Sequence, residues 1–342
     1  MNEFEYLTTR PYEPYKKDGG VAYADSHLSD EELTKALYEY GWEIDDAFGL
    51  NTQGKINLLA ESEDYMADVR RLPGVLDEHK CLDYLKYGPY GRGIILLGYT
   101  GSKACGANVD GSDMDLTCIR HNTVYELLGL GSLPRFANPK SQQDIYEDGD
   151  LKIDICKYTL TKYVDMLVNG SPQSFFILGL RPEDYLIIGG SGRTLLGYSG
   201  IFLSKKVWYS FNGYNLDLFD KMRQIEISTT ERKEKRDTYL KYAYQLIHGY
   251  RIATDMLLKK EIITYKEEEA ELLRKIRTGG MLDETGTLTT EFYNINHEYK
   301  RKFDESLKTT TLPETPNMKE VEYLTIQLNI EAVNMYSKEE IL

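Results

Sequence analysis

No stretch of about 18 apolar residues occurs in this chain, which excludes a membrane-spanning helix. The opening residues, MNEFEYLTTRPYEPYKKDGG, hold no apolar signal core and read as a mature start. The expected location is therefore the cytoplasm, or a host cytoplasm if the chain is phage-encoded. Cysteine is sparse: Cys81, Cys105, Cys118 and Cys156 form no CxxC pair, and reduced thiols are expected. The five histidines are scattered without paired ligand spacing, which argues against zinc. Positive charge is in deficit, with 41 Lys and Arg against 55 Asp and Glu and a net charge of −14. That argues against broad affinity for nucleic-acid backbone, though not against one local groove. The best basic cluster, ERKEKR from Glu231 to Arg236, carries acids too and reads as a solvated helix start.

What is abundant is tyrosine, 28 residues of 342, expected mostly as amphipathic packing groups with wet hydroxyls. The length allows two modest domains, or one core with a helical annex. Residues 1 to about 26 lack period and read as an extended arm. In SDEELTKALYEYGW, Ser29 precedes Glu32 by three, a capping box that predicts a helix to about Tyr40. GVLDEHKCLDYLKYG predicts another helix, ending at Gly88.

GIILLGY, from Gly93 to Tyr99, is a short apolar run between glycines and reads as a buried strand. DMDLTCI alternates Asp113, Asp115 and Thr117 with Met114, Leu116 and Cys118, a strand with one polar face. LKIDICKYTL repeats the device, with Lys152, Asp154 and Cys156 against Ile153 and Ile155. TLTKYVDMLVNG predicts a helix ending near Gly170. The segment GLGSLPRFANPKSQQDIYEDGD reads as a long connection. GGSGRTLLG, starting at Gly189, lacks the lysine-Ser/Thr ending of a P-loop and reads as a turn or hairpin. From Glu231 the pattern is helical, with a last helix after LPETPN. The expected division is an N-terminal arm with helices over 1–84, an α/β catalytic domain over 85–215 and a helical domain over 216–342.

Asp113 and Asp115 are two apart, so on a strand they project from one face. Two such carboxylates repel unless a cation neutralises them. Oxygen ligands suit Mg²⁺, and a third carboxylate from a neighbouring strand would complete a two-metal site. Asp154 is the later strand aspartate with apolar residues on both sides. Upstream, Gly101 and Ser102 follow a strand directly. The glycine lets backbone N–H groups approach a phosphate, the serine adds a hydroxyl and Lys103 a charge.

The pattern of strand, Gly-Ser, a spacer of about ten and Asp-x-Asp resembles the signature of the DNA polymerase β-like nucleotidyltransferase superfamily. More narrowly, it is similar to predicted nucleotidyltransferases of bacteria and tailed phages, including the YcgL type and the group associated with RNA-repair ligases. GSKACG stands where that group has Gly-Ser-Arg/His-x-x-Gly, and SDMD, which starts at Ser112, where it has Ser-Asp-x-Asp. DICKYTLTKYVDMLVNGSP resembles a further segment and assigns the third acid to Asp154. KYAYQLIHGYRIATDML resembles a Lys-x-x-x-His-x-x-Arg helix, but Gln245 and His248 replace the usual His and Arg.

The resemblance implies a mixed α/β (α+β) sheet with packed helices, a C-terminal helical domain and a cleft between them. It implies transfer of a nucleoside monophosphate from an NTP to a hydroxyl acceptor, with RNA or tRNA leading, and release of pyrophosphate. Asp113, Asp115 and Asp154 would be catalytic and hold two Mg²⁺ or Mn²⁺ ions. Gly101, Ser102, Lys103, Ser112, Lys241 and His248 would bind the nucleotide. The other readings are a protein-nucleotidylating enzyme of toxin or antitoxin kind and a nucleotide binder without catalysis.

Overall fold

A computed structural model describes residues 93–129, 141–148 and 151–336. The predicted arm, the predicted helices starting at Ser29 and ending at Gly88, and Cys81 lie outside them. The described chain is a mixed α/β fold: one five-stranded sheet and eleven described α-helices. The strands are β1 (Ile94–Tyr99), β2 (Met114–Arg120), β3 (Ser141–Asp148), β4 (Leu151–Thr159) and β5 (Tyr185–Ile188), in the order β3-β4-β2-β1-β5. β2 and β4 run parallel, and the other three pairs are antiparallel.

The three strands expected from apolar runs and alternation are present, and so is the helix after β4, α3 (Leu160–Val168). Two expectations fail. The connection after Leu128 contains β3, whose sequence SQQDIYED is too polar to show a buried face. It is an edge strand, and Ile145 on it is exposed. The glycine-rich GGSGRTLLG is neither turn nor hairpin but helix α5 (Gly190–Gly197). Its Gly192 serves close packing, because a Cβ there would stand 2.2 Å from the Ile95 carbonyl oxygen of β1.

Helical structure also begins well before Glu231. α6 (Lys206–Ile227) carries Val207, Phe211, Asn215, Leu218, Met222 and Ile225 on its buried side, a helical spacing, although Asn212-Gly213 lowers local propensity. Residue 215, the expected boundary, lies inside α6. α8 (Arg236–Lys259) packs on it, followed by α9 (Glu267–Arg277), α10 (Thr290–Thr309) and α11 (Met318–Tyr336). No helix among the described residues is long and apolar enough to cross a membrane.

Three apolar clusters hold this together. One joins Ile95, Leu96 and Ile119 of the sheet to Tyr163, Phe175, Phe211, Tyr250, Phe303 and Leu328 of the helices. A second fills the opposite sheet face with Leu97, Leu116, Cys118, Ile153 and Ile155. The third is the helical core around Tyr239, Tyr244, Leu273 and Phe292, and it also takes in Cys105 and Ala107. Each large side chain buried there stabilises the fold by roughly 1.5–3 kcal/mol.

Three buried tyrosines bond to protein rather than to water. Tyr163 donates to the Ser174 carbonyl at 2.6 Å, Tyr185 to the Ile177 carbonyl at 2.6 Å and Tyr239 to Glu226 at 3.0 Å. Enclosed phenols need protein partners, and these have them. The ERKEKR segment forms α7 (Thr229–Glu234) and the start of α8, with Lys235 bridging Glu231 and Arg236 donating to the Thr278 carbonyl.

Candidate active site

The parallel pairing of β2 and β4 puts Asp115 directly opposite Asp154. The period of two turns Leu116, Cys118, Ile153 and Ile155 into one apolar cluster, so Asp115 and Asp154 share the other face. At the end of β1 the Thr100 N–H donates to the Asp115 carbonyl at 2.8 Å, which fixes the next residues over that face. Gly101 then adopts φ +62°, and a Cβ there would lie 1.9 Å from Asp115 Oδ2. Glycine is required twice, for the left-handed backbone and for the approach of the carboxylate.

Burial raises the proton affinity of Asp115, and Asp154 and Asp113 raise it further. Lys241, reaching in from α8, is the strongest opposing charge and lowers it. Asp113 precedes β2, is exposed, and has Lys152 Nζ 3.8 Å from its Oδ2. Asp154 Oδ2 accepts a 2.6 Å hydrogen bond from Gln143 Nε2 of β3. Its Oδ1 is buried and has no partner. Gln143 is a member of the site that sequence reading missed, because it sits on the polar strand read as a connection.

The donor chemistry fits a hard divalent cation: carboxylate oxygens only, one of them buried and unpartnered, and one acid held at raised proton affinity by its neighbours. Among the described residues no group of three His, Cys, Asp or Glu side chains already forms a ligand cluster. Asp113, which meets Lys152 across the β2–β4 pairing, is the exposed acid of the three.

Gly101 and Ser102 open α1 (Gly101–Cys105), a single helical turn closed by Ala107 N–H donating to the Ser102 carbonyl at 2.9 Å. Cys105 and Ala107 insert into the helical core, so this turn links the sheet to the helical half. Arg274 of α9 adds a 3.3 Å bond to the Gly106 carbonyl. Ser112 tightens the bend before the acids, its Oγ accepting from the Val109 N–H at 3.0 Å. Lys103 lies 3.2 Å over the ring of Tyr99, in the field of Asp184 and Arg181.

His248 stands apart from the acids. It is 6% exposed, packs against the Phe176 ring at a tilt of 32° and has its Nδ1 3.3 Å from Arg251 Nη2 and 3.5 Å from Glu269 Oε2. Burial holds its imidazole below the ordinary range. Arg251 completes the network, donating to Glu269 at 2.7 Å and to the Thr264 carbonyl at 2.7 Å. The acids, Gly101 and Lys241 thus come together, Lys103 turns toward Tyr99, and His248 joins α8 to Glu269 of α9.

Residues 87–327 match one protein-family model, RlaP, the RNA repair pathway DNA polymerase beta family. The chain belongs to this family. The kinship with polymerase β-like nucleotidyltransferases expected from GSKACG and SDMD therefore holds, and the family match spans both the sheet and most of the helical half. No curated protein matches the chain. Among solved structures, a nucleotidyltransferase-like protein from Exiguobacterium sibiricum 255-15 is 12% identical over 77% of this chain and 91% of its own, with a TM-score of 0.26.

Proposed function

We propose that this member of the RNA repair pathway DNA polymerase beta family transfers a nucleoside monophosphate from an NTP to a hydroxyl on RNA. The observation that carries the reading is the in-register pair Asp115 and Asp154 on parallel strands, with the Gly-Ser turn pressed onto Asp115. The acceptor oxygen attacks the α-phosphorus, a new O–P bond forms, and the bond from that phosphorus to the bridging oxygen breaks, so pyrophosphate leaves.

Asp154 suits the acceptor side. Its Oδ2 is engaged by Gln143, which leaves the unpartnered Oδ1 to take the hydroxyl proton. Gly101 and Ser102 suit the phosphates through backbone N–H groups at the start of α1 and a hydroxyl, and Lys241 adds positive charge beside Asp115. Asp113, Asp115 and Asp154 would hold Mg²⁺ or Mn²⁺, which when bound supplies neutralisation of phosphate charge and acidification of the acceptor hydroxyl. RNA as acceptor is supported by the family's place in RNA repair. An acidic chain would need to hold it in a local groove rather than by general attraction.

The test is incubation with α-labelled NTPs, Mg²⁺ or Mn²⁺ and total cellular RNA and protein. Label that nuclease removes and protease leaves supports this reading. Label that only protease removes would replace RNA with a protein acceptor.

A further inference from the structure

Asp154 has a different neighbour on each side across the sheet. Asp115 of β2 stands opposite it on one side and Ile145 of β3 on the other. Directly opposed residues share a face, so Ile145 lies on the face that carries the acids, with its Cβ roughly 4.5–5.5 Å from that of Asp154. β3 is the edge of the sheet, and Ile145 is 58% exposed. A single exposed isoleucine is ordinary on a protein surface. This one is set apart by its place beside the carboxylate whose Oδ1 is buried and unpartnered.

Lys152 adds charge to the same strip. It precedes Asp154 by two and so shares its face, and it is diagonal to Ile145, at roughly 7–8 Å, a separation that a long side chain spans. Its side chain is 44% exposed, and its ammonium stands 3.8 Å from Asp113, beyond hydrogen-bond distance. Lys152 also lowers the proton affinity of Asp115, against the burial that raises it, so its charge is felt at the acids. An apolar side chain and a cation thus flank the side of Asp154 that faces away from Asp115.

The Gly-Ser turn, which suits the outer phosphates of the nucleotide, follows β1, on the other side of the acids. In-line displacement sets the attacking oxygen opposite the leaving one. The group that carries the acceptor hydroxyl therefore comes from the β3 side and lies over Ile145. We propose that Ile145 and Lys152 form the acceptor subsite: the sugar and base of an RNA's terminal nucleoside pack on Ile145, its hydroxyl meets Asp154 Oδ1, and the phosphate that joins it to the next nucleotide meets Lys152. The proposal rests on the nucleotidyl-transfer reading and names the part of the RNA used, an end with a free hydroxyl. Apolar contact with a base face is tolerant of base identity, so no single terminal base is favoured.

The test is binding to the full chain, with Mg²⁺ present, of a short single-stranded RNA with free terminal hydroxyls, of the same RNA lacking its terminal bases, and of NTP. Labelling of the RNA from α-labelled NTP is followed in parallel. Ile145→Ala is expected to weaken the intact RNA by about tenfold, the scale of one contacted aliphatic side chain, and to leave NTP affinity unchanged. Ile145→Tyr suits a strand and offers a ring for stacking. It is expected to bind the intact RNA at least as tightly as the wild type and to gain nothing for the RNA without terminal bases. Lys152→Gln is expected to reduce the slope of log affinity for RNA against log salt by about 0.7, one phosphate contact. RNA affinity unchanged in Ile145→Ala, or NTP affinity lowered as much as RNA affinity, overturns the proposal. If all three variants bind RNA unchanged while the wild type labels it, the subsite alone fails. If the wild type binds NTP yet neither binds nor labels RNA, the RNA reading fails and the subsite with it.

Discussion

Gly101 and Asp115 approach so closely that a single methyl group on the glycine would overlap the carboxylate, at 1.9 Å from Oδ2. The contact joins the Gly-Ser turn to the acid strand. Gly101→Ala must move one or the other, and it also places a side chain at φ +62°. The backbone penalty is about 1–2 kcal/mol. Displacement of the acid by about 1 Å is expected to lower transfer by about 10²-fold. Urea unfolding and the transfer rate, measured on the same variant, separate the two effects. Unchanged transfer with lowered stability would mean that Asp115 does not need this placement.

Gln143→Leu removes the donor to Asp154 Oδ2 while retaining bulk. The carboxylate then loses its fixed orientation. Turnover is expected to fall by about tenfold, less than the roughly 10²-fold or more of a general base lost outright, with the NTP KM unchanged. A rise in KM at constant turnover would assign Gln143 to nucleotide binding instead.

Acid sensitivity of the fold is expected from His121. Burial depresses its imidazole from 6.5 to about 4, and its Nε2 lies 2.9 Å from Ser191 Oγ, which in turn donates to Glu331 of α11. A depressed imidazole pKa means that the unfolded chain takes the proton first. The stability it contributes is whole above pH 6.5 and is lost as the pH falls toward about 4. A depression of this size corresponds to about 3 kcal/mol. Chemical unfolding at steps through that window should show the loss, and His121→Gln should flatten it. A variant with the wild-type slope would place the acid sensitivity elsewhere.

Much of the site was legible because its residues lie on strands with strong alternation. Asp113, Asp115 and Asp154 interrupt apolar runs, and such interruptions are visible at a spacing of two. Gln143 was not legible. Its strand is an edge strand with an exposed Ile145 and a polar face, so no buried pattern marks it. The helix starting at Gly190 does not show for a related reason: Gly192 answers to the backbone of β1, a contact that exists only after folding. His248 shares a helical polar stripe with Lys241 in the sequence. α8 nonetheless presents Lys241 to the acids and buries His248 against Glu269, and only the packing partner distinguishes the two.

The proposed reaction has the acids on β2 and β4 direct attack on the α-phosphorus. Parallel reactions with α-labelled and γ-labelled NTP, using the wild type and Asp115→Asn, test it most directly. Burial and neighbouring acids raise the proton affinity of Asp115, so the variant is expected to fold at least as stably as the wild type in the absence of divalent ions. Acceptor labelling is expected from the α-labelled NTP only, and is expected to be lost in Asp115→Asn. Acceptor labelling from the γ-labelled NTP, or near-normal transfer by a folded Asp115→Asn, would contradict it.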